Sequence, residues 1–79
     1  MRNHKTENDI VTIKKLGAFL ETEARKRKIN KSELSRLVGV DRMTITNIFK
    51  GSQNPSFTTL LAICQTLKIG ITFLTEEIK

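Results

Sequence analysis

The segment that most constrains the fold of this chain runs from residue 31 to residue 50 and reads KSELSRLVGVDRMTITNIFK. Its apolar side chains form two groups, and within each group they recur at positions i, i+3 and i+4, as on one face of a helix. The first group comprises Leu34, Leu37 and Val38, and the second comprises Ile45, Ile48 and Phe49. The pattern therefore predicts two short helices in close succession.

The ends of these two helices are marked by residues that stop or start helices. Gly39 follows the first apolar group, and helices commonly end at a residue in the left-handed conformation, which glycine adopts at the lowest cost. Asp41 is a suitable N-cap for the second helix, because its carboxylate can accept the free amide hydrogens of the first turn. Asn30 has the same role for the first helix, with Glu33 three residues later as in a capping box.

This segment resembles the helix-turn-helix of the Xre/Cro and phage-repressor family, in which the second helix of the pair enters the major groove of DNA. The resemblance continues through Gly51 and the residues QNPSFTTLLAICQTLKIG, which are similar to the loop and fourth helix of that family, and it covers roughly residues 16–70. It implies an all-α fold of four to five helices, with the motif at residues 31–50 and double-stranded DNA as the partner.

The rest of the chain is organised around this motif. One further helix is predicted over about residues 16–28, with an apolar face made by Leu16, Phe19, Leu20 and Ala24. Ser56, after Pro55, is a natural N-cap for a fourth helix, whereas residues 10–13 fit either a strand or a helix. We expect three parts: a disordered polar tail at residues 1–8, the DNA-binding domain at residues 9–70, and a C-terminal strand with a tail at residues 71–79.

The C-terminal part departs from the generic family pattern, in which a short fifth helix follows. The residues KIGITFLT are rich in β-branched and aromatic side chains and therefore predict a short β-strand. A single strand must pair, either with the same strand of a second copy across a two-fold axis or with residues 10–13. The first pairing predicts a homodimer with Ile71, Phe73 and Leu74 at its interface. In this part the sequence ICQTLKIGITFL resembles HipB-type antitoxins, whose helix-turn-helix body ends in a strand that builds a dimer.

The amino-acid composition indicates which class of molecule the protein binds. Fourteen Lys and Arg residues against eight Asp and Glu residues give a net charge of +6, which favours a polyanion through counterion release. The length of 79 residues allows one domain. Cys64 is the single cysteine and cannot form an internal disulfide, and no apolar run is long enough for a signal peptide or a membrane span. We therefore expect a cytoplasmic protein without a membrane partner.

The sequence carries no pattern typical of catalysis. It has no glycine-rich phosphate loop, no pair of catalytic carboxylates and no nucleophile with a plausible base. His4 has no Cys or His neighbour at the spacing of metal ligands, and Cys64 is expected to be a small core residue. We therefore predict that the protein is not an enzyme and that it needs neither a cofactor nor a metal.

Three residues of the second helix are predicted to contact bases, because they lie opposite its Ile45 and Ile48 face: Arg42, Met43 and Thr46. The guanidinium of Arg42 can donate two parallel hydrogen bonds to guanine, which gives about 1–3 kcal/mol of discrimination. Met43 can contact a thymine methyl group or can pack against the preceding helix. A solvent-exposed arginine without a base contact is the alternative for Arg42.

Five other residues are predicted to contact the DNA backbone: Lys31, Ser32, Asn47, Lys50 and Ser52. Lys31 and Ser32 open the first helix of the motif, where free amides already favour an anion. The resemblance implies a phosphate contact for Asn47, and it often places Gln where Lys31 stands here. The basic run at residues 25–28 fits a phosphate clamp or the solvated end of a helix, where cations favour the negative end of the helix dipole.

These observations support three hypotheses about function. The first is a dimeric, sequence-specific transcriptional repressor that is also an antitoxin, binding its own promoter and a HipA-type toxin kinase. The second is a stand-alone regulator, such as a phage-repressor relative or a restriction-modification controller. The third is a protein-binding module on a helix-turn-helix scaffold, which the polar face of Arg42, Thr46 and Asn47 and the positive net charge disfavour.

Overall fold

The computed structural model of the chain describes residues 7–78, with side chains from residue 9, and within this range it is entirely helical apart from turns. It contains α1 (Glu7–Lys26), α2 (Lys31–Val38), α3 (Arg42–Lys50), α4 (Phe57–Leu67) and α5 (Ile71–Ile78). The predicted all-α fold of four to five helices is therefore confirmed, and the described residues form five. Glu7 and Asn8, assigned above to a tail, are instead the first residues of α1, and residues 1–6 lie outside the described range.

The helix α1 begins further towards the N-terminus than predicted. Residues 10–13, which fitted either a strand or a helix, are part of this helix. Ile13 is 7% exposed, and it continues towards the N-terminus the buried face that Leu16, Leu20 and Ala24 form further along α1. The four β-branched residues at positions 10–13 do not prevent a helix, because the side chain of Ile13 is buried on the helix face that packs in the core. The full length of α1 therefore packs as one element.

The core lies where α1, α2, α3 and α4 meet. Its most deeply buried side chains come from all four helices: Leu20, Leu34, Ile45, Ile48, Ile63, Cys64 and Leu67. Val38 and Val40 are half-buried at its edge, whereas Leu37, which the helical spacing placed on the same face, is 50% exposed. Cys64 is a core residue as predicted, and burial raises the pKa of its thiol.

Gly17 is buried at the crossing of α1 and α3. A β-carbon at this position would lie 2.6 Å from the carbonyl oxygen of Phe49 and closer still to that of Ile48, so a side chain would push the two backbones apart. The end of α3 therefore rests directly on the backbone of α1. This contact fixes the position of α3, since its buried side chains enter the core from the same direction.

The predicted C-terminal strand is wrong, because residues 71–78 form α5. The Leu74 N–H donates to the Gly70 carbonyl oxygen at 3.0 Å, and the Leu74 side chain is 4% exposed in the core. Ile78, four residues later, packs against the same core. One face of α5 thus places both Leu74 and Ile78 against the core. This packing outweighs the β-propensity of Ile71, Thr72 and Phe73.

Because α5 shares the core of the other helices, residues 71–78 are part of the same domain and not a separate segment. The Phe73 ring is half-exposed and stands 5.8 Å from the Phe19 ring of α1, at an interplanar angle of 56°. No single helix within residues 7–78 is long and apolar enough to cross a membrane, although α4 and α5 together reach that length and composition across a bend of 107°.

Candidate nucleic-acid interface

The turn between α2 and α3 is built by the capping residues that the sequence predicted. The Asn30 side chain accepts the Glu33 N–H at 2.8 Å at the start of α2. Gly39 ends α2 in the left-handed conformation (φ 88°), and its N–H donates to the Ser35 carbonyl oxygen at 2.8 Å. The Asp41 carboxylate accepts the Thr44 N–H at 2.7 Å and starts α3. These bonds set the direction in which α3 leaves α2.

One face of α3 is held in the core and the opposite face is left to solvent. Ile45 is fully buried, and Ile48 and Phe49 are nearly so, whereas Arg42 is exposed and Met43 is 64% exposed. The alternative in which Met43 packs against the preceding helix is therefore wrong. Thr46, the third predicted base contact, is half-buried at the edge between the two faces.

The predicted backbone contacts fall into two groups at opposite ends of α3. Lys31 and Ser32, from the start of α2, line a surface groove together with Arg42. At the other end, Lys50 is exposed and Ser52 caps α3, because its N–H and its hydroxyl donate to the Asn47 carbonyl oxygen at 3.0 Å and 3.2 Å. The structure therefore brings Arg42 close to Lys31 and Ser32. It does not bring Lys50 and Ser52 to that groove.

This geometry, with a capped α2, a glycine turn and an α3 that presents its polar face, is that of a helix-turn-helix. The family described as Helix-turn-helix (HTH_3) matches residues 12–74. The chain belongs to this family. The match confirms the helix-turn-helix resemblance and supports a DNA-binding transcriptional regulator. The finer likeness to HipB-type antitoxins stays a prediction.

Solved structures of other helix-turn-helix regulators have the same fold. The clp gene regulator ClgR from Corynebacterium glutamicum superposes with a TM-score of 0.81 at 19% identity, over 85% of this chain and 71% of that one. The restriction-modification controller protein C.AhdI from Aeromonas hydrophila superposes with a TM-score of 0.73 at 24% identity, over 85% and 97% of the two chains. No curated protein sequence matches the chain.

The two helices of the motif differ in the charge of their caps. The pKa of Asp41 is lowered because its carboxylate accepts hydrogen bonds from the Thr44 N–H and hydroxyl. A negative charge therefore already occupies the start of α3. The cap of α2 is the neutral amide of Asn30, followed by Lys31. The first turn of α2 nevertheless carries Glu33, whereas the first turn of α3 carries no acid beyond its Asp41 cap, so each helix start holds one carboxylate.

Sequence reasoning missed a buried acid in α1. Glu23 is 6% exposed, and its carboxylate accepts from the Arg27 guanidinium at 2.6 Å and from the Lys26 ammonium at 3.2 Å. The pKa of Glu23 is lowered chiefly by the hydrogen bond from Arg27. The spacing of acid and base at i, i+3 and i+4 was the available signal. Two of the four residues in the basic run at 25–28 therefore neutralise Glu23.

The three residues predicted at the dimer interface lie on α5 and not on a strand. Ile71 and Phe73 are 41% and 49% exposed, and Leu74 is buried within the single chain. Within the described residues, no group of three or more His, Cys, Asp and Glu side chains could hold a metal ion. His4 lies outside that range.

Proposed function

We propose that this helix-turn-helix protein is a sequence-specific transcriptional repressor that binds double-stranded DNA as a homodimer, without enzymatic activity, cofactor or metal. The observation that carries the proposal is the exposed face of α3. Arg42 and Met43 project from a helix whose other side is locked by Ile45 and Ile48, and Lys31 lies beside Arg42. A rigid helix with a polar outer face next to cations is what major-groove recognition requires.

In the proposed complex, α3 lies in the major groove and the start of α2 meets the DNA backbone. Arg42 donates to a guanine edge, while Met43 and Thr46 contact neighbouring bases. Lys31 and Ser32 bind one phosphate at the uncharged cap of α2, and Asn47, Lys50 and Ser52 meet the backbone beyond the other end of α3. A dimer bound to its operator would exclude RNA polymerase from an overlapping promoter, so repression needs no further activity.

The proposed dimer uses the face of α5, not a strand. Ile71 and Phe73 are apolar and partly exposed there, and Phe57 at the start of α4 is 69% exposed. A two-fold dimer through such a face would present its α3 helices to successive major grooves about 34 Å apart on a palindromic operator. This interface stays a prediction, with Leu74 contributing to the core behind it.

The antitoxin hypothesis has lost the feature on which it rested, because α5 replaces the strand. The stand-alone regulator is now favoured, since the superposed structures include a gene regulator and a restriction-modification controller. A HipA-type toxin kinase remains a predicted partner that gene neighbourhood tests directly. A kinase-like reading frame beside the gene, together with a complex of the two purified proteins, would restore the antitoxin role.

The proposed function is tested by selecting bound sequences from a random duplex library and by measuring affinity for the selected duplex across salt concentrations. We expect a palindromic consensus and an affinity that falls steeply with salt. Lys31→Ala should weaken binding to all duplexes and flatten the salt dependence. Absence of binding to any duplex at low salt would instead support the protein-binding module.

A further inference from the structure

We propose that Lys28, in the turn between α1 and α2, binds a backbone phosphate of DNA and so extends the DNA-binding surface beyond the helix-turn-helix. This inference rests on the proposed DNA-binding function. It assigns a contact to a residue of the turn that precedes α2, and it separates that residue from the rest of the basic run at residues 25–28.

The first observation is a groove that joins the turn to the recognition helix. Arg25 and Lys28 line it on the side of α1, and Lys31 and Arg42 line it on the side of α2 and α3. Among the described residues that line it, Glu21 is the only acid, and it pairs with Arg25 at 3.5 Å. Four cations against one acid leave a formal charge of +3 on the groove. A phosphate of the strand next to Arg42 would be attracted into it.

The second observation is that Lys28 is the cation of the run that remains free. Lys26 and Arg27 both neutralise the buried Glu23, and Arg25 pairs with Glu21. Within the part of the chain that the structure describes, no carboxylate lies within ion-pair distance of Lys28. Its ammonium group is exposed and can bind an external anion without first breaking an internal ion pair.

The third observation is the backbone at Lys28. This residue has a φ of 58°, the left-handed conformation, in the turn two residues after the end of α1, where glycine would adopt this conformation at a lower cost. The Ile29 N–H donates to the Ala24 carbonyl oxygen at 3.0 Å across this turn. The turn leads directly into Asn30, the N-cap of α2, and Ile29 and Asn30 line the groove beside Lys28. Lysine thus contributes charge here at a cost in backbone energy.

A matched control exists in the same chain. Lys68 ends α4 with a φ of 59°, is also exposed, and has its N–H bonded to the Gln65 carbonyl oxygen at 3.2 Å. It does not line the groove. The left-handed conformation alone therefore does not mark a phosphate contact, and comparison of the two lysines separates the effect of the groove from the effects of charge and backbone.

The test compares Lys28→Gly with Lys68→Gly. Each variant removes one positive charge and relieves a strained conformation, so we expect both to raise the Tm by a few degrees or leave it unchanged. Lys28→Gly alone should weaken binding to the selected duplex by about eightfold per subunit at 0.1 M salt and reduce the slope of log affinity against log salt by about 0.9 per subunit. Sedimentation of each variant checks that its oligomeric state is unchanged.

Equal affinity and equal salt slope for the two variants would overturn the inference while wild-type binding leaves the proposed function intact. Failure of the wild-type protein to bind any duplex would overturn the proposed function itself. Inorganic phosphate, titrated at constant ionic strength, tests whether the groove takes a free anion. Saturable binding that Lys28→Gly removes, without a change in DNA affinity, would assign the groove to that anion and overturn the DNA contact.

Discussion

Arg42 is the single residue on which sequence preference depends most in the proposed complex. It is exposed at the first turn of α3, beside Lys31, and its side chain is the longest donor on the outer face. A guanidinium in that position can donate hydrogen bonds either to the edge of a guanine base or to a backbone phosphate. The two roles differ in what a substitution does to discrimination between sequences.

We expect Arg42→Ala to reduce discrimination between the selected duplex and a single-base variant by about 1–3 kcal/mol, while much of the non-specific affinity remains. Competition binding measures both quantities. Arg36→Ala is the matched control, because Arg36 is exposed on α2 but does not line the groove. If Arg42→Ala lowers all affinities equally, then Arg42 is a phosphate contact and the assignment to a base is wrong.

Gly17 determines how closely α1 approaches α3. Gly17→Ala should lower the free energy of unfolding by about 1–3 kcal/mol, because the added methyl group meets the backbone carbonyls of Ile48 and Phe49. Chemical denaturation measures the change. This outcome opposes helix propensity, which favours Ala over Gly by up to about 1 kcal/mol. Ala18→Gly, at the adjacent exposed position, isolates the propensity effect. A stabilised Gly17→Ala variant would contradict the close approach.

At the scale of elements, the end of α1 is stabilised by charges within the helix. Arg27 donates both to the Glu23 carboxylate and, at 3.0 Å, to the Glu23 carbonyl oxygen. The guanidinium therefore satisfies a buried acid and a backbone carbonyl near the C-terminus of the same helix. This arrangement fixes the end of α1, from which the turn that carries Lys28 continues.

The pKa of Glu23 is below its ordinary value of 4.5 in the folded state, so its ion pairs contribute stability at pH values above about 4.5. That contribution is lost as the pH falls through the lowered folded-state pKa. We expect Glu23→Gln to lower the free energy of unfolding at pH 7 by an amount on the order of 1 kcal/mol. It should also reduce the loss of stability on acidification between pH 5 and pH 3, as followed by denaturant titration.

Glu21→Gln is the control for this pH dependence, because Glu21 is more exposed and its pair with Arg25 is longer, at 3.5 Å. We expect it to change stability little at either pH. An identical acid response of wild type and Glu23→Gln would contradict the role given to Glu23.

For the molecule as a whole, the proposed homodimer depends on the exposed apolar face of α5, which includes Ile71 and Phe73. Ile71→Glu should convert the proposed dimer to monomer and weaken operator binding, because it places a charge on the apolar face of α5. Sedimentation and binding to the selected duplex measure the two effects. Ile71 is preferable to Phe73, whose ring also contacts Phe19 within one chain. Leu37→Glu, at a similarly exposed leucine of α2, is the control. A dimer that survives Ile71→Glu would place the interface elsewhere.

Much of the candidate site was predictable because it depends on local chemistry. Asn30, Gly39, Asp41 and Ser56 all have the capping or turn roles that the sequence indicated. Each role depends on the residue type and on backbone groups only three or four residues away. The buried face of α3 was equally predictable from the i, i+3 and i+4 spacing of its apolar residues. The helix-turn-helix, and with it the outward direction of Arg42, was therefore predictable from the sequence, whereas the exposure of Met43 became clear only in the structure.

Tertiary packing decided what local chemistry left balanced. Residues 71–75 favour a strand by propensity, but Leu74 and Ile78 reach the core together from one face of a helix. The availability of Lys28 depends on the ion pairs of its neighbours with Glu23 and Glu21, and on a groove formed by three helices. The ion pairs are local in sequence, but the burial of Leu74 and Glu23 and the groove itself depend on residues distant in sequence, so these features became apparent only in the folded chain.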